Sequence, residues 1–569
     1  MKKNLLAAII ATLSLMTSSH ATDVTTYHNN QLASGVNDSE TVLNLDNVNQ
    51  FDFGLKYSVY VQGQIYAQPL FKSKVGTPAR DLAFVVTQHN VVMAVDVSTG
   101  SPFWTITLNE FGTSVPSGDT GSGDLTPEIG IVSTPVISGN NIFVLSKSKR
   151  YDVNNTPHYC QTIYKIDIRT GAVIARNNFA DTAFDGSNYT YRIAGPKADP
   201  YVLGSGDGSI SVIAHNRAEN RVYFNALRQM NRAALSLVDG VIYAGFASHG
   251  DNGPYHGWVI GFADTNLKVA AVLNTTPNGG LGGIWQSGGR IASDDKNNLY
   301  LETGNGSFDP TQLDTKGFPL DGNYGDCFIK LSKDDSTTSR QNRNGWGVRV
   351  VDYFTPTNNN SINAADLDLG SCGPLVVPSG SKIFIIGTGK DGSIYSMNAA
   401  NMGKFDPVSN HNLQTINQAL CIQGDTGNQW TAFCTGCYFN NRLFYFGGGD
   451  RGKQFTLNNG VIGGWFLDDN GQVQTDVETA TTFAWPGANS SISANGNNSV
   501  INWVIDRDAS ILRAFRASDL LEVWNSSQAS GDNFSGAIKF SVPVAANGNV
   551  FVGADSALYI YGLNPSQRH

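Results

Sequence analysis

Several features are scarce or missing in this sequence of 569 residues, and each absence excludes a class of protein. Beyond the N-terminus there is no run of about 18 apolar residues, so no membrane-spanning helix is expected. Charged residues are only 15% of the chain, and its net charge of −9 is not offset by any basic block. Phosphate binding needs clustered Lys and Arg, so nucleic acid is not an expected partner. We also find no HExxH motif, P-loop, nucleophile elbow or dinucleotide fingerprint, so these enzyme classes have no support.

The N-terminus has the pattern of a secretory signal peptide. A pair of lysines precedes the apolar run Leu5–Met16, which is too short to span a membrane, and the small residues Ser19 and Ala21 follow. We predict that residues 1–21 are cleaved. The first cysteine is Cys160, so no lipobox cysteine or lipid anchor is expected. The protein is therefore expected to be exported, either to the periplasm or out of the cell.

All six cysteines lie in the predicted mature chain, and an even number in an exported protein suggests disulfides. The disulfide candidates are Cys160, Cys327, Cys372, Cys421, Cys434 and Cys437. Their connectivity cannot be chosen from the sequence. Cys434 and Cys437 form a CxxC, but a structural zinc site would need a second ligand pair, and a redox CxxC usually opens a helix. Because the flanks read as strands, a structural disulfide role is favoured, with a free or redox-active pair as the alternative.

The rest of the chain is organised as short strands. Glycine is abundant, at 61 residues, and turn residues recur throughout. Residues 22–50 are polar and predict an extended lead-in. Over residues 51–565, period-2 alternation bounded by Gly, Asn and Ser predicts repeated sets in the order strand, strand, strand, turn, strand.

Eight such sets can be laid out along the chain. The last contains only three strands, and the lone strand FGLKYSVYV, Phe53–Val61, supplies the missing fourth. The predicted fold is therefore all-β: a single β-propeller of eight four-stranded blades, closed by pairing of the N- and C-terminal strands. Seven blades is the alternative, because the sixth and seventh sets are irregular.

One motif repeats with matched spacing. AVDVSTGSPFW, Ala94–Trp104, returns as AFRASDLLEVW, Ala514–Trp524, and more weakly as KIDIRTGAVIA, Lys165–Ala175. In this pattern Asp and Thr hydrogen-bond a tight turn, Gly allows a positive φ, and Trp covers the next sheet.

At these residues the chain resembles the pyrroloquinoline-quinone (PQQ)-like β-propellers, including the quinoprotein alcohol dehydrogenases. Matching stretches include GQIYAQPL, ASHGDNGPYHGW, NTTPNGGLGGIWQSGG, YLETGNGSFD and AIKFSVPVAANGNVFVG. The resemblance implies PQQ and calcium as candidate cofactors. However, the adjacent cysteine pair of the quinoproteins is missing, and so is the CxxCH of c-type haem. Neither the calcium ligands nor the catalytic Asp can be placed, so a working quinoprotein dehydrogenase is not the favoured reading.

The most polar loop, Gly245–Phe262, lies between two predicted strands, where a β scaffold commonly presents a site. His249, Asp251 and His256 carry the atoms of a metal site. The alternative is a structural turn, in which Asp251 bonds the turn backbone and the histidines bond carbonyl groups.

Other candidates lie close to predicted innermost strands, which line the channel of a propeller. Asp366 and Asp368 alternate with leucine, so on a strand both face one side and suit calcium. The alternative is that both are solvated residues at a sheet edge. The remaining ligand-binding candidates are Glu128, Trp285 and Lys539. Glu128 is a base or cation ligand if it is buried, and otherwise an exposed loop carboxylate. Trp285 either lines the channel or docks one blade on the next, and docking is favoured.

Two functional hypotheses follow. The first is an exported binding or scaffold protein that recognises a protein, glycan or small-molecule ligand on one face of the propeller. The second is a PQQ- or metal-dependent oxidoreductase with its site at the channel mouth. The missing CysCys and CxxCH motifs favour the first.

Overall fold

The computed structural model of the protein describes residues 23–214, 216–337, 341–420, 432–448 and 460–563. The predicted signal peptide, Cys421 and the predicted strand at 453–459 lie outside these ranges. The only α-helices within them are two short ones, α1 (Ser117–Thr120) and α2 (Asn359–Ala364). Single 3-10 turns occupy Gln286–Gly288, Asp335–Thr337 and Leu369–Ser371. No helix in the described ranges is long and apolar enough to cross a membrane. The predicted all-β class is confirmed.

The strands of the first half of the chain follow the predicted order. They are β1 (Val36–Asn37), β2 (Phe53–Tyr60), β3 (Leu70–Val75), β4 (Arg80–Val86), β5 (Val91–Asp96), β6 (Ser101–Thr107), β7 (Val115–Pro116), β8 (Glu128–Ile129), β9 (Val136–Ser138), β10 (Asn141–Tyr151), β11 (Pro157–Asp167), β12 (Val173–Phe184), β13 (Tyr189–Thr190), β14 (Tyr201–Leu203), β15 (Ile210–Ala214), β16 (Arg217–Tyr223), β17 (Ser236–Val238), β18 (Val241–Phe246), β19 (Trp258–Ala263) and β20 (Val269–Asn274). The sheet β14-β16-β15 was not predicted from the sequence.

The second half continues in the same manner. Its strands are β21 (Ala292–Ser293), β22 (Leu299–Glu302), β23 (Phe328–Asp334), β24 (Gly345–Phe354), β25 (Leu375–Ser379), β26 (Lys382–Thr388), β27 (Ile394–Asn398), β28 (Gln414–Ile416), β29 (Cys437–Phe439), β30 (Arg442–Phe446), β31 (Gly460–Leu467), β32 (Val473–Phe483), β33 (Ser490–Asn495), β34 (Asn498–Asp506), β35 (Ile511–Arg516), β36 (Leu521–Asn525), β37 (Val544–Ala546), β38 (Asn549–Ala554) and β39 (Ala557–Leu563).

Most of these strands group into four-stranded antiparallel sets, which we call blades one to eight in chain order. The strands β13 and β1 each add a fifth strand to one set, and pairing of β20 with β24 joins two neighbouring sets into one sheet. Blades one to seven begin at β3, β9, β17, β21, β25, β29 and β33, and the eighth has the order β2-β39-β38-β37. The first strand of each of blades one to seven, and β37 in blade eight, is its innermost strand. In blade eight, β2 pairs antiparallel with β39, from Phe53 opposite Leu563 to Tyr60 opposite Ala557. This grouping favours the eight-bladed prediction over the seven-bladed one.

The burial of the strands follows their place in a blade. In blade one, every residue of β5 is buried, whereas the outermost strand β6 is mostly exposed. Because an inner strand such as β5 is packed on both faces, its sequence is a continuous apolar run and does not alternate.

The repeated motif docks one blade onto the next, as predicted. The backbone N–H of Gly100, at φ 65°, donates to the carbonyl of Asp96 at 2.9 Å. Trp104 donates its indole N–H to the carbonyl of Ile168 in the next blade at 2.8 Å. A Cβ at Gly171 would lie 2.9 Å from the Trp104 ring, so only glycine admits this contact.

The lead-in contacts every blade, which the sequence did not indicate. Val24 exchanges two backbone hydrogen bonds with Phe71 of β3, and β1 runs parallel to β33. Residues 25–37 also form hydrogen bonds with the innermost strands of the other six blades. Their partners there are Ile137, Leu237, Ser293, Val376, Tyr438 and Ala545. The innermost strands would otherwise present unpaired backbone groups to the channel, and this segment satisfies some of them.

The disulfide hypothesis gains no support here. All five cysteines that the structure describes are buried, and none of them is joined in a disulfide. The thiol of Cys437 lies 3.1 Å from the Ser490 hydroxyl, and that of Cys327 donates to the Gly325 carbonyl at 3.3 Å.

Trp524 offers a test of blade docking. It is fully buried in blade seven, with ring centroids 4.8 Å from Phe53 and 5.8 Å from Tyr561 in blade eight. We expect Trp524→Ala to lower the free energy of unfolding by about 3–5 kcal/mol, because a large cavity opens between two blades. Denaturant unfolding measures this. The control Tyr60→Ala, at a position that is 72% exposed on β2, should change it by less than about 0.5 kcal/mol. Equal effects of the two changes would contradict the docking role.

Candidate functional site

The candidate site is a cavity of about 460 Å³ at one mouth of the channel. Its wall is built mainly by the segments that precede the innermost strands, which we call the approach loops. Additional residues come from the loops β18–β19, β22–β23 and β26–β27. Because each innermost strand starts at the same end of the ring, its approach loop ends at the same mouth. Residues far apart in the sequence therefore meet in one cavity.

One wall of the cavity is aromatic. Trp285 stands edge-on to Phe540 and Phe433, with ring centroids 5.2 and 6.0 Å apart. Phe433 in turn lies 5.6 Å from Trp485. These four rings come from the approach loops of blades four, six, seven and eight, and such edge-to-face contacts favour a fixed arrangement. The wall can hold the apolar body of an organic ligand.

Another part of the wall carries a pair of carboxylates bridged by a lysine. Lys390, from the β26–β27 loop, lies 2.9 Å from Asp366 and 2.5 Å from Asp368. Asn305 donates its side-chain amide to Asp366 at 2.9 Å and its backbone N–H to Asp368 at 2.5 Å. The two carboxylates thus converge as predicted, but in a loop before a 3-10 turn and not on a strand, and around an ammonium group.

Burial shifts the pKa values of both Asp366 and Lys390. Burial raises the pKa of Asp366 above its ordinary value, and Lys390 only partly offsets this. Burial also lowers the pKa of Lys390, but Asp368 and Asp366 outweigh it and hold that pKa above the ordinary value. Lys390 is therefore a permanent cation in this wall.

The polar β18–β19 loop contributes Asp251 to the cavity. The Tyr255 hydroxyl donates to Asp251 at 2.6 Å, and the Ser248 hydroxyl does so at 3.2 Å. Ser248, Asp251 and Tyr255 all line the cavity. This part of the loop therefore belongs to the candidate site.

The two histidines of the same loop do not join Asp251. His249 is buried, and its Nε2 lies 2.7 Å from the side-chain nitrogen of Lys147. The His256 ring lies 2.8 Å from the carbonyl of Asp207 and 3.0 Å from the Thr276 hydroxyl. Within the described part of the chain, no three His, Cys, Asp or Glu side chains form a group that could hold a metal ion.

Of the other three predicted residues, two line the cavity and one does not. Trp285 and Lys539 line the cavity, where the Lys539 ammonium lies 4.0 Å from Asp124. Glu128 lies on β8 outside the cavity, 2.6 Å from Nδ1 of His89 and bonded by the Ser114 hydroxyl.

Arg232 is a buried cation in the cavity wall whose guanidinium group is only partly hydrogen-bonded within the described structure. It is 2% exposed, and its Nη1 donates to the carbonyl of Val132 at 3.0 Å. Its Nε and Nη2 are buried and find no hydrogen-bond partner among the residues that the structure describes. A Cβ at Gly288 would lie 2.1 Å from Nη1, so a side chain there would displace the guanidinium. Burial lowers the pKa of Arg232 to about 10, which leaves it a cation at neutral pH.

Sequence reasoning missed Arg232, Lys390 and Asn305. Lys390 lies in GTGKDG, whose spacing indicates only a turn between strands. Arg232 had one available signal, a lone charge just before a predicted apolar strand, but nothing in the sequence pairs it with a cavity.

No protein-family model matches this chain, and no curated protein matches it either. Among solved structures, it is similar to the quinohemoprotein alcohol dehydrogenase from Comamonas testosteroni, with a TM-score of 0.58 and 13% identity. It is similar to the quinohemoprotein alcohol dehydrogenase ADHIIG from Pseudomonas putida HK5, with a TM-score of 0.57 and 13% identity. In both cases the match covers 95% of this chain and 80% of the other. The predicted resemblance to PQQ-type β-propellers is therefore confirmed at the level of the fold.

The contacts of His249 generate a first prediction. Lys147 is buried and also donates to the carbonyls of Leu227 and Gln229, at 2.7 and 3.1 Å. We expect His249→Ala to lower the free energy of unfolding by about 1–3 kcal/mol, because a buried donor loses an acceptor. Denaturant unfolding gives this value.

His249→Gln, which can supply an amide oxygen to Lys147, is the matched control and should retain most of the stability. A stable His249→Ala protein that loses a bound metal would instead favour the metal site predicted from the sequence.

A second prediction concerns pH and Glu302 on β22. Neither carboxylate oxygen of Glu302 has a hydrogen-bond partner within the described residues, and burial, then Cys434, raise its pKa well above the ordinary value. The unfolded chain loses this proton above pH about 4.3, but the folded chain keeps it, so rising pH destabilises the fold through this group. Glu302→Gln should therefore gain stability relative to the wild type, by up to about 1.4 kcal/mol per pH unit.

Denaturant unfolding between pH 4 and 8 measures the difference. The control Glu110→Gln, at a side chain that is 45% exposed, should change the free energy by less than about 0.5 kcal/mol. A pH-independent difference for Glu302→Gln would show that Glu302 is ionised equally in both states.

Proposed function

We propose that this protein is a binding protein that holds an organic anion in the cavity at the channel mouth. The observation that carries this proposal is Arg232, a buried guanidinium at the cavity wall with two nitrogens unpartnered among the described residues. Leaving a cation buried and uncompensated is costly, and an anionic ligand would supply the missing partner.

The rest of the cavity suggests what else the ligand carries. The aromatic wall of Trp285, Phe433, Trp485 and Phe540 suits an apolar or sugar ring. Elsewhere in the cavity wall, Asp251 and Asp366 can accept hydrogen bonds from hydroxyl groups. A sugar acid combines these features, so among protein, glycan and small-molecule ligands we favour a small acidic one. Export through the predicted signal peptide is part of the same proposal.

The alternative is a quinone-dependent oxidoreductase, which the fold of the two quinohemoprotein alcohol dehydrogenases favours. The residues fit PQQ, a planar tricarboxylate: Trp285 and Trp485 would face its rings, and Arg232 and Lys539 would meet its carboxylates. When bound, PQQ would supply a two-electron oxidant. Calcium does not fit, because the ammonium of Lys390 takes the position between Asp366 and Asp368. This chain's residues would therefore orient the quinone without a metal.

Calorimetric titration tests both ideas with three probes: galacturonate, galactose and PQQ. We expect galacturonate to bind and neutral galactose to bind at least 10-fold more weakly, because only the acid pairs with Arg232. Arg232→Met should weaken galacturonate binding by 10-fold or more, which corresponds to about 1.4 kcal/mol. Arg232→Lys, which keeps the charge, should retain part of the affinity.

The outcomes separate the hypotheses. Stoichiometric PQQ binding with dye-linked alcohol oxidation would favour the oxidoreductase. Unchanged affinity for every anion in a folded Arg232→Met protein would contradict the role of Arg232. Circular dichroism and thermal unfolding confirm that the variants are folded.

A further inference from the structure

Two cysteines lie side by side behind the cavity wall. The backbone N–H of Cys434 donates to Sγ of Cys372 at 3.3 Å, across a separation of 62 residues. Both side chains are buried, at 0% and 1% exposure. Each follows a cavity-lining residue, since Gly370 precedes Cys372 by two positions and Phe433 directly precedes Cys434.

Other contacts hold these approach loops together. The Ser371 hydroxyl donates to the carbonyl of Ala432 at 2.9 Å. A Cβ at Gly373 would lie 2.7 Å from the Thr435 hydroxyl oxygen. The loops before blades five and six are therefore in close contact over several residues, independently of any bond between sulfurs.

The two side chains are also in contact. A backbone nitrogen lies about 1.5 Å from its own Cα, so Cα of Cys434 is within about 5 Å of the Cys372 sulfur. Burial and then the neighbouring Cys434 thiol raise the pKa of Cys372 well above its ordinary value. Rotation about χ1 of either cysteine changes the distance between the two sulfurs, which must fall to about 2.0 Å for a disulfide to form.

The neighbouring CxxC cysteine makes a different contact. The Cys437 thiol lies 3.1 Å from the Ser490 hydroxyl and 3.4 Å from the Ser490 carbonyl, toward blade seven. The pair that the fold brings into contact is thus Cys372 with Cys434, which are distant in sequence. Fixing this pair leaves three of the fifteen connectivities that six cysteines allow.

We propose that Cys372 and Cys434 are a redox pair that closes to a disulfide between the approach loops of blades five and six. In this step the two thiols lose two protons and two electrons as the sulfur–sulfur bond forms. The electron acceptor is a disulfide compound, which is reduced to two thiols by exchange through a mixed disulfide. Because both sulfurs are buried, the exchange takes place before the two loops pack or while they are transiently open. The proposal is independent of the ligand.

The bond would have two physical consequences. It would constrain the unfolded chain by closing a loop of 62 residues, which stabilises the folded state. It would also fix the spacing between the lysine-bridged carboxylates and the aromatic wall, because one cysteine follows each of these groups in the chain.

The experiment uses the full mature chain, refolded in glutathione buffer with either the oxidised or the reduced form in excess. Free thiols are blocked with N-ethylmaleimide under denaturing conditions, and the digest is analysed by mass spectrometry. We expect a crosslinked peptide pair containing Cys372 and Cys434 in the oxidised sample. The melting temperature should be several degrees higher than that of the reduced sample.

Cys372→Ser should abolish both the crosslink and the shift in melting temperature, whereas Cys437→Ser should keep both. Peptide mapping of the wild type does not depend on the stability of either variant. Full alkylation of Cys372 and Cys434 after oxidation would overturn the proposal. A crosslink from Cys434 to Cys437 or to Cys421 would overturn it as well.

Discussion

The buried inner edge of the blades is the constraint on which the rest of this structure depends. Each innermost strand has one side facing the channel, where its backbone groups need hydrogen-bond partners. Residues 24–37 provide such partners at every blade in turn, from Phe71 in blade one to Ala545 in blade eight. A little further along the chain, β2 completes blade eight by pairing with β39. The segment from residue 24 to residue 60 is therefore both the lining of the channel and part of the ring.

This arrangement explains where a site can form. The lead-in fills the channel with buried side chains such as Tyr27 and His28, which stack 4.4 Å apart. Ligand-sized space remains where the approach loops converge, at the mouth that holds Arg232 and the aromatic wall. The cavity is thus a product of the ring as a whole, and no single blade contains it.

The electrostatics of the cavity are divided between its walls. Lys390 pairs with both Asp366 and Asp368 and offsets part of their charge, so the position between them is already occupied by a cation. Arg232 has no carboxylate partner in the described structure and is separated from solvent by burial. A ligand that carries an anion at one end and hydroxyl groups at the other would match this division. Burial strengthens such contacts because the local dielectric is lower than that of water.

The sequence by itself determined the all-β class, the four-stranded repeat and the docking role of Trp104, because these depend on local periodicity and on motif spacing. It also singled out Asp251, Trp285, Asp366, Asp368 and Lys539 as candidates, from a polar loop and from polar or aromatic residues near predicted innermost strands. The structure places all five at one cavity, and their role in binding remains a prediction. Only the tertiary structure decided that His249 contacts the buried Lys147, that Lys390 bridges Asp366 and Asp368, and that Cys372 lies beside Cys434. These contacts join residues 22 to 102 positions apart. Ring closure sets such long-range pairs, and no local pattern in the chain records which loops the ring brings together.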